Sequence, residues 1–431
     1  MKAALAIFLL LTAIATPAGA QLGGRLSSQL GGQLGQLPGA LPPVVQGITG
    51  RVDNALESAI DRVGDLATQR IDTIRDMVSQ HRDVLEQSPD GDLIVRHEII
   101  ATAPSDAALT AARAAGFTVA RTDTLETLGL SIVVLEAPKG VSTRDALRRL
   151  KKLDPDGAYD FNDIYLGSQS ATGAGAGDVA GAGGGRVGLI DGGVDVSHPA
   201  LRGARLTQKG FAGAAQPSEH GTETASLLAG RADGFSGAAP GAELYVADVY
   251  CNQPTGGSTP AILRALDWMA QERVGVINIS LVGPSNAPMK AAVAAMVRRG
   301  HLIVAAVGND GPAAKPLYPA AFDGVVGVTG VDRRNKVLPE AGRGPQVRFA
   351  APGGDMSAAR PGGYASVRGT SFAAPIVAGL LARQLNAPDP AKARAAVAAL
   401  AASAQDLGPK GFDTTYGDGL VGGDIRPQKK K

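Results

Sequence analysis

Asp191, His220 and Ser371 lie in the segments LIDGGVD, EHGTETAS and GTSFAAPIVAG, each at the end of an apolar run or the start of a small-residue helix. A serine hydroxyl becomes a useful nucleophile when an imidazole removes its proton and a carboxylate fixes the imidazole's tautomer. These residue types can support acyl transfer if the fold brings them together. Each also has a plainer reading. An Asp before two glycines forms turns, a lone His is commonly structural or solvated, and a Ser before a helix is a common N-cap. Only five histidines occur, which narrows the choice of base. His81 belongs to an amphipathic stretch, His97 to a small domain, His301 opens a strand, and His198 before Pro199 reads as a surface loop residue. Asn309, in VAAVGNDGP, can offer an amide to an oxyanion, although N-D-G-P is also a strong turn signal. The N–H of Ser371, at a helix N-terminus, can do the same. Cys251 is the only cysteine, has no Cys-His motif around it, and reads as a small buried apolar residue.

The elements that must position these residues are short apolar strands alternating with helices. Strands are expected over 187–190, 276–281, 302–308 and 325–331, and helices near 221–230, 259–272, 287–299 and 370–385. That alternation predicts an α/β domain over 186–425, a parallel sheet sandwiched by helices, with functional groups at the carboxyl ends of its strands. Upstream, 91–166 reads β-α-β-β-α-β, a small ferredoxin-like α+β domain with nothing catalytic in it. Its strands fall near 94–102, 117–122, 130–136 and 158–165. Its helices run from Ser105 to Ala115 and from a Ser142/Asp145 capping box to Leu153. Between the two domains, 167–185 has the Gly, Ala and Ser composition of a flexible linker. Its G-x-G-x-x-G spacing follows no strand and opens no helix, so no dinucleotide is expected there.

Lys2, an apolar run over 3–14, Pro17 and the triplet Ala18, Gly19, Ala20 have the order of a secretory signal peptide over 1–20. A secreted protein, extracellular or periplasmic, is the expectation. Residues 21–47 read as a flexible lead-in. Over 48–90, Val52, Leu56, Ile60, Val63, Ile74 and Val78 recur at helical spacing, which predicts an amphipathic helix or helical pair from 52 to 85 that packs on a neighbouring domain. No later segment reaches about 18 continuous apolar residues, so no membrane span is expected. The formal charge of +2 comes without a Lys/Arg stripe, which argues against a nucleic-acid partner, and 426–431 reads as a solvated basic tail.

Taken in order, GLIDGGVDVSHPAL, EHGTETAS, VAAVGNDGP and GTSFAAPIVAG resemble the Asp, His, Asn and Ser signature blocks of subtilisin-like serine proteases, over 186–385. VINISLVGP resembles their substrate-binding strand, and the small domain resembles the propeptides that fold and inhibit them. The resemblance implies a subtilisin-like fold and a serine endopeptidase with Asp191, His220 and Ser371 as its triad and Asn309 in the oxyanion hole. It implies polypeptide substrates held against Ser280, Leu281, Val282 and Gly283. It also implies a self-processed precursor, a zymogen whose propeptide-like domain is its own intramolecular inhibitor or chaperone. No cofactor or metal is implied, the segment between Gly230 and Gly237 being shorter than the family's main calcium loop. Gly192 stands where the family has Thr or Ser, Glu223 where it commonly has a second His, and Phe372 where Met is frequent. Val282 and Leu317 add volume, so a small residue is expected before the cleaved bond. Activity should rise with pH through about 6 to 7.5, where a histidine base loses its proton. The alternative is a pseudoprotease that keeps the fold as a binding or scaffold protein.

Overall fold

The computed structural model describes residues 68–167, 185–232 and 234–427, all within the unit Leu66–Lys431. The expected signal peptide, the lead-in, the start of the amphipathic segment, positions 168–184 of the linker and the last four residues of the basic tail lie outside the described residues.

The larger domain is built on seven strands in the order Val347–Pro352, Val326–Val331, Leu302–Ala306, Val276–Ile279, Arg186–Asp191, Glu243–Asp248 and Arg205–Gly210. Every neighbouring pair is parallel. The central strands Val276–Ile279 and Leu302–Ala306 are buried throughout, as a sheet covered on both faces requires. From Arg186–Asp191 the chain builds first toward one edge and then toward the other. Asp191 therefore ends the strand at the topological switch point, where open α/β sheets form their clefts. Helices Glu219–Ala229 and Thr370–Ala382 share the apolar layer on one face, and Thr259–Gln271 and Ala287–Arg298 cover the other.

Strands Arg205–Gly210, Glu243–Asp248 and Val347–Pro352 and helix Pro390–Ala402 were not among the expected elements. Arg205–Gly210 is a polar edge strand, alternately exposed and half-buried, and carries no apolar run to announce it. The strand expected over 276–281 stops at Ile279. Beyond Ser280, the pair Leu281–Val282 joins a separate antiparallel ladder.

Four strands of the small domain's five-stranded antiparallel sheet run in the order Ala158–Asp163, Leu93–Thr102, Leu130–Glu136 and Thr118–Leu125, the ferredoxin-like arrangement. Ser105 Oγ caps helix Asp106–Ala114, and Ser142 Oγ accepts from the Asp145 N–H at the start of Thr143–Leu153. Both helices pack on one face of the sheet. The other face sends Ile100, Leu125, Leu128 and Ile132 into the same apolar cluster as Ile262 and Trp268 of the larger domain. Polar groups seal that contact. Asp160 Oδ2 accepts from Ala287 N at 2.8 Å, at the positive end of helix Ala287–Arg298, and Asp267 Oδ1 accepts from Leu128 N at 3.0 Å. The helix expected to reach residue 85 ends at 80, and Leu85–Gln87 instead pairs with Leu93–Val95. Among the described residues no helix is long and apolar enough to cross a membrane.

Candidate active site

Asp191 is buried at the carboxyl end of its strand. Its Oδ1 accepts from Gly192 N at 2.6 Å and meets His220 Nδ1 at 2.8 Å. His220 stands in the first turn of helix Glu219–Ala229, whose N-cap Ser218 accepts from Gly221 N at 3.0 Å. A carboxylate only accepts, so the Nδ1 facing it carries the proton and Nε2 keeps its lone pair. That Nε2 is buried and has no hydrogen-bond partner among the described residues. Burial, the largest influence on the imidazole pKa, pulls it down. The charge of Asp191, the hydrogen bond to it and the charge of Glu223 together outweigh burial and raise the pKa above the ordinary histidine value. A cavity of ≈ 380 Å³ opens beside the pair, lined by Gly167, Gly193, Ser218 and Tyr250 among others.

The side chain missing at Gly192 could not simply be restored, because a Cβ there would come within 2.2 Å of Ser218 Oγ. A hydroxyl arrives from another direction. Thr224 Oγ1 lies 3.2 Å from Asp191 Oδ2, and also 2.9 Å from the His220 carbonyl and 3.1 Å from that of Gly221. Glu223, at the family's second-histidine position, turns away from the cleft. It is buried, and its Oε1 takes Arg360 Nε at 3.2 Å and Nη2 at 3.0 Å.

Ser371 is the second residue of helix Thr370–Ala382 and is fully buried. The residue four positions on is Pro375, which has no N–H to give, so the Ser371 carbonyl lacks its helical partner. Ser280 Oγ supplies it at 2.9 Å and in turn accepts from Asn278 Nδ2, which ties the serine to the turn that opens Leu281–Val282. The Phe372 ring lies against His220 with centroids 5.5 Å apart, so the helices bearing the serine and the histidine meet beside the cleft. Asn309 is buried too. Its Oδ1 accepts from Thr370 N at 3.0 Å, which commits the oxygen end of the carboxamide to the backbone beside Ser371. The structure thus gathers Asp191, His220, Asn309, Ser371 and Ser280 at the carboxyl ends of neighbouring strands. The arrangement can generate an alkoxide at one serine and hold negative charge beside it.

The cleft contains a piece of the chain. Leu166–Gly167 runs antiparallel to Leu281–Val282, with Gly167 opposite Leu281 and Leu166 opposite Val282. On the other side Tyr165 N donates to Gly257 O at 2.9 Å, and Tyr250 OH donates to Tyr165 O at 2.7 Å. Gly167 approaches the imidazole so closely that a Cβ on it would lie 3.8 Å from His220 Nδ1. The helix over 68–80 backs this segment. Its Ile74 shares a cluster with Leu85, Leu93, Val95 and Ile164, against which Met77, Val78 and Leu166 pack. Arg70 Nε lies 3.5 Å from Asp310 Oδ2, next to Asn309.

Residues 183–419 match the model of the Subtilase family. The chain belongs to this family. It is a subtilisin-like serine endopeptidase by that membership and by its likeness to curated subtilisins. This subtilase is 33% identical over 245 residues to Subtilisin DY of Bacillus licheniformis, covering 55% of this chain and 88% of that one. To M-protease of Shouchella clausii (strain KSM-K16) it is 35% identical over 203 residues, 46% of this chain and 53% of the relative, so it spans about half of that protein's length. Among solved structures, fervidolysin of Fervidobacterium pennivorans, described as a keratinolytic enzyme related to subtilisin, superposes with a TM-score of 0.65 at 20% identity. The match covers 79% of this chain and 62% of fervidolysin, and it bears on the fold alone.

Several side chains of this subtilase differ from what the sequence suggested. His198, expected at the surface, is buried, with Nε2 2.9 Å from Gly363 O and its ring edge against Tyr364. Cys251, by contrast, is buried as expected, with Sγ 3.3 Å from Asp248 O, and desolvation raises its thiol pKa. Thr224, Ser218, Tyr165 and Asn286 were not singled out at all. A signal existed for two of them. Thr224 falls one helical turn after His220, on the same face, and Asn286 precedes Ala-Pro, a common start of a helix. Among the described residues no group of three His, Cys, Asp or Glu could hold a metal ion.

Proposed function

We propose that this subtilase is an exported endopeptidase whose nucleophile is Ser371, and that the first peptide bond it cuts is its own Ser168–Gln169. The observation that carries the reading is the ladder between Leu166–Gly167 and Leu281–Val282. A substrate residue following Gly167 in that register would come opposite Ser280, whose hydroxyl is bonded to the Ser371 carbonyl. Gly167, beside His220, is then the penultimate residue before the cut. His220 Nε2 takes the proton from Ser371 Oγ as it attacks the carbonyl of Ser168. Asn309 Nδ2 and the Ser371 N–H hold the resulting oxyanion. As the C–N bond breaks, the same proton passes from His220 to the leaving amine of Gln169. Water, deprotonated by His220, then releases the acyl group. Asp191 keeps the imidazole in the working tautomer and balances its transient charge. Further substrates are polypeptides that lie in the same antiparallel groove and present a small residue before the cut. Leu317 supports that preference, since its Cδ1 comes within 2.6 Å of where a Cβ on Gly308 would be. A fluorophosphonate probe should label the wild-type chain and leave Ser371→Ala unlabelled. Equal labelling of the two would remove Ser371 from the mechanism.

The base works only when neutral, so kcat/KM should climb with pH. Because the imidazole pKa is raised, the midpoint should lie above the ordinary histidine value of about 6.5, in the upper part of the expected range or beyond it. A profile with its midpoint below that value, or flat across it, would contradict the assignment.

Release of the small domain should also depend on pH, in the opposite sense for binding. Asp163 is buried at the domain contact with Oδ2 2.9 Å from Asn286 Nδ2. Burial pushes its carboxyl up to about 8, the Asn286 hydrogen bond opposes that, and Asp92 and Asp160 add like charge. The docked state keeps a proton that the released state loses, so docking is firmest below the ordinary carboxyl range and weakens as pH rises to about 8. Asp163→Asn removes the titration. After self-cutting, this variant should stay latent longer than wild type at pH 8, and the difference should shrink as pH falls toward 5. Its mature enzyme is unaltered, so identical lag times at pH 8 would dispose of the idea.

A further inference from the structure

Tyr165 stands four residues before the bond proposed to be cut, so any subsite assigned to its side chain rests on that reading of the register. The tyrosine is fully buried, and its ring lies over Gly283, where a Cβ would come within 2.6 Å. Its hydroxyl is used twice. It donates to Pro284 O at 2.8 Å and accepts from Asn286 Nδ2 at 3.3 Å. Asn286 is held in that orientation by a separate duty. Its Oδ1 accepts from Met289 N at 2.9 Å as the N-cap of helix Ala287–Arg298, so the amide cannot turn its oxygen to the pocket without losing the cap. Thr259 Oγ1, 3.0 Å from Asn286 Nδ2, steadies the amide from within the larger domain. Asp163 joins that amide from the small domain.

Pro284 and Asn286 both stay with the enzyme when the small domain departs. What remains is a flat slot over Gly283 that ends in one acceptor and one donor, spaced for a phenol. A phenyl ring in the slot would leave both groups facing an apolar edge, and unpaired buried polar groups discriminate far more sharply than a missing methylene. We infer that the Pro284 carbonyl and Asn286 amide form a phenol-reading subsite, so that this subtilase favours polypeptides carrying Tyr over Phe four residues before the cleaved bond. The small domain then holds the cleft with the side chain the enzyme reads best.

The test compares two peptides, one containing Tyr-Leu-Gly-Ser-Gln and the other Phe-Leu-Gly-Ser-Gln, digested by the enzyme that the full-length chain yields by self-processing. The Tyr peptide should show a kcat/KM about tenfold higher or more. Asn286→Ser keeps a capping oxygen and removes the NH2 donor, and it should shrink that ratio to about threefold. The wild-type comparison needs no variant, so a folding failure of Asn286→Ser leaves it standing. Equal rates on the two peptides in wild type would overturn the subsite while leaving the triad reading intact. So would an Asn286→Ser enzyme that loses the same factor on both. Failure to cut either peptide, by enzyme that still labels with a fluorophosphonate, would overturn the register from which the subsite is counted.

Discussion

Asp191→Asn is expected to lower kcat by about ten-thousandfold while leaving the fold in place. That scale is the one known for the matching carboxylate of subtilisin and for its counterpart in chymotrypsin-type enzymes, and it is borrowed from them. The direction follows from this site. Asp191 Oδ1 accepts from both Gly192 N and His220 Nδ1. An asparagine can keep its oxygen for Gly192, but its NH2 must then face the imidazole, and two donors cannot share that contact. The ring answers by moving its proton to Nε2, the atom that has to receive the proton of Ser371. Thr224 Oγ1 still has the His220 and Gly221 carbonyls to bond, so little else is disturbed. Steady-state kinetics beside circular dichroism would check this. A loss smaller than about tenfold would mean that the Asp191–His220 contact does not govern the base.

Arg360→Ala should cost about 2–4 kcal/mol of stability, unusually large for a side chain so near the surface. Its partner explains the size. Glu223 is only 3% exposed, and the Arg360 guanidinium, itself 34% exposed, bridges it to Glu219. Burial already raises the Glu223 pKa, with the Arg360 hydrogen bond the main opposing influence. Without Arg360 the carboxylate is stranded inside the helix that carries His220, and its pKa rises further. A carboxyl whose folded-state pKa is raised destabilises most at high pH, and the penalty fades as pH falls toward the unfolded carboxyl value. The loss measured by denaturant unfolding should therefore be larger at pH 8 than at pH 5. Glu223→Gln in the same chain should recover part of it. A variant as stable as wild type at pH 8 would show that the pair is solvated after all.

The site could be located from the sequence because each key residue ends a strand or opens a helix inside a distinctive small-residue block. The order in which the blocks resemble the subtilase signatures implied that they meet at the strand ends, and the contacts Asp191–His220, His220–Phe372 and Asn309–Thr370 bring those segments together. What supports those residues was harder to see. The Ser371 carbonyl depends on Ser280 across 91 positions of chain, and only the Pro375 four residues on hints that it needs a partner. Thr224 reads as one more helical threonine until the strand bearing Asp191 is laid beside it. His198 misled because proximity to Pro199 suggests an exposed turn, whereas the hairpin formed by Met356–Arg360 and Gly363–Val367 folds over the ring and supplies Gly363 O and Tyr364. The strands overlooked were the polar edge Arg205–Gly210, which has no apolar run, and two six-residue segments closed by Asp or Pro, although Leu244 to Ala247 in the first of these is an apolar run the sequence already offered. The small domain was easier, its strands and helices being punctuated by Ser105, Gly116 and Ser142. Even so, its last strand ends at Asp163, and the next four residues do something no periodicity announces: they lie in the cleft.

The measurement that bears most directly on this account is the intact mass of the full-length chain and its Ser371→Ala variant, produced in a host lacking other secreted proteases. Wild type should separate into a small-domain fragment ending at Ser168 and an active enzyme beginning at Gln169. Ser371→Ala should stay joined across that bond, folded by circular dichroism, since the substitution removes an oxygen and leaves the helix start otherwise intact. The same cut in both chains would assign it to an outside protease. A wild-type chain that stays whole and does not react with a fluorophosphonate would contradict the account and favour a scaffold that has kept the fold and lost the chemistry.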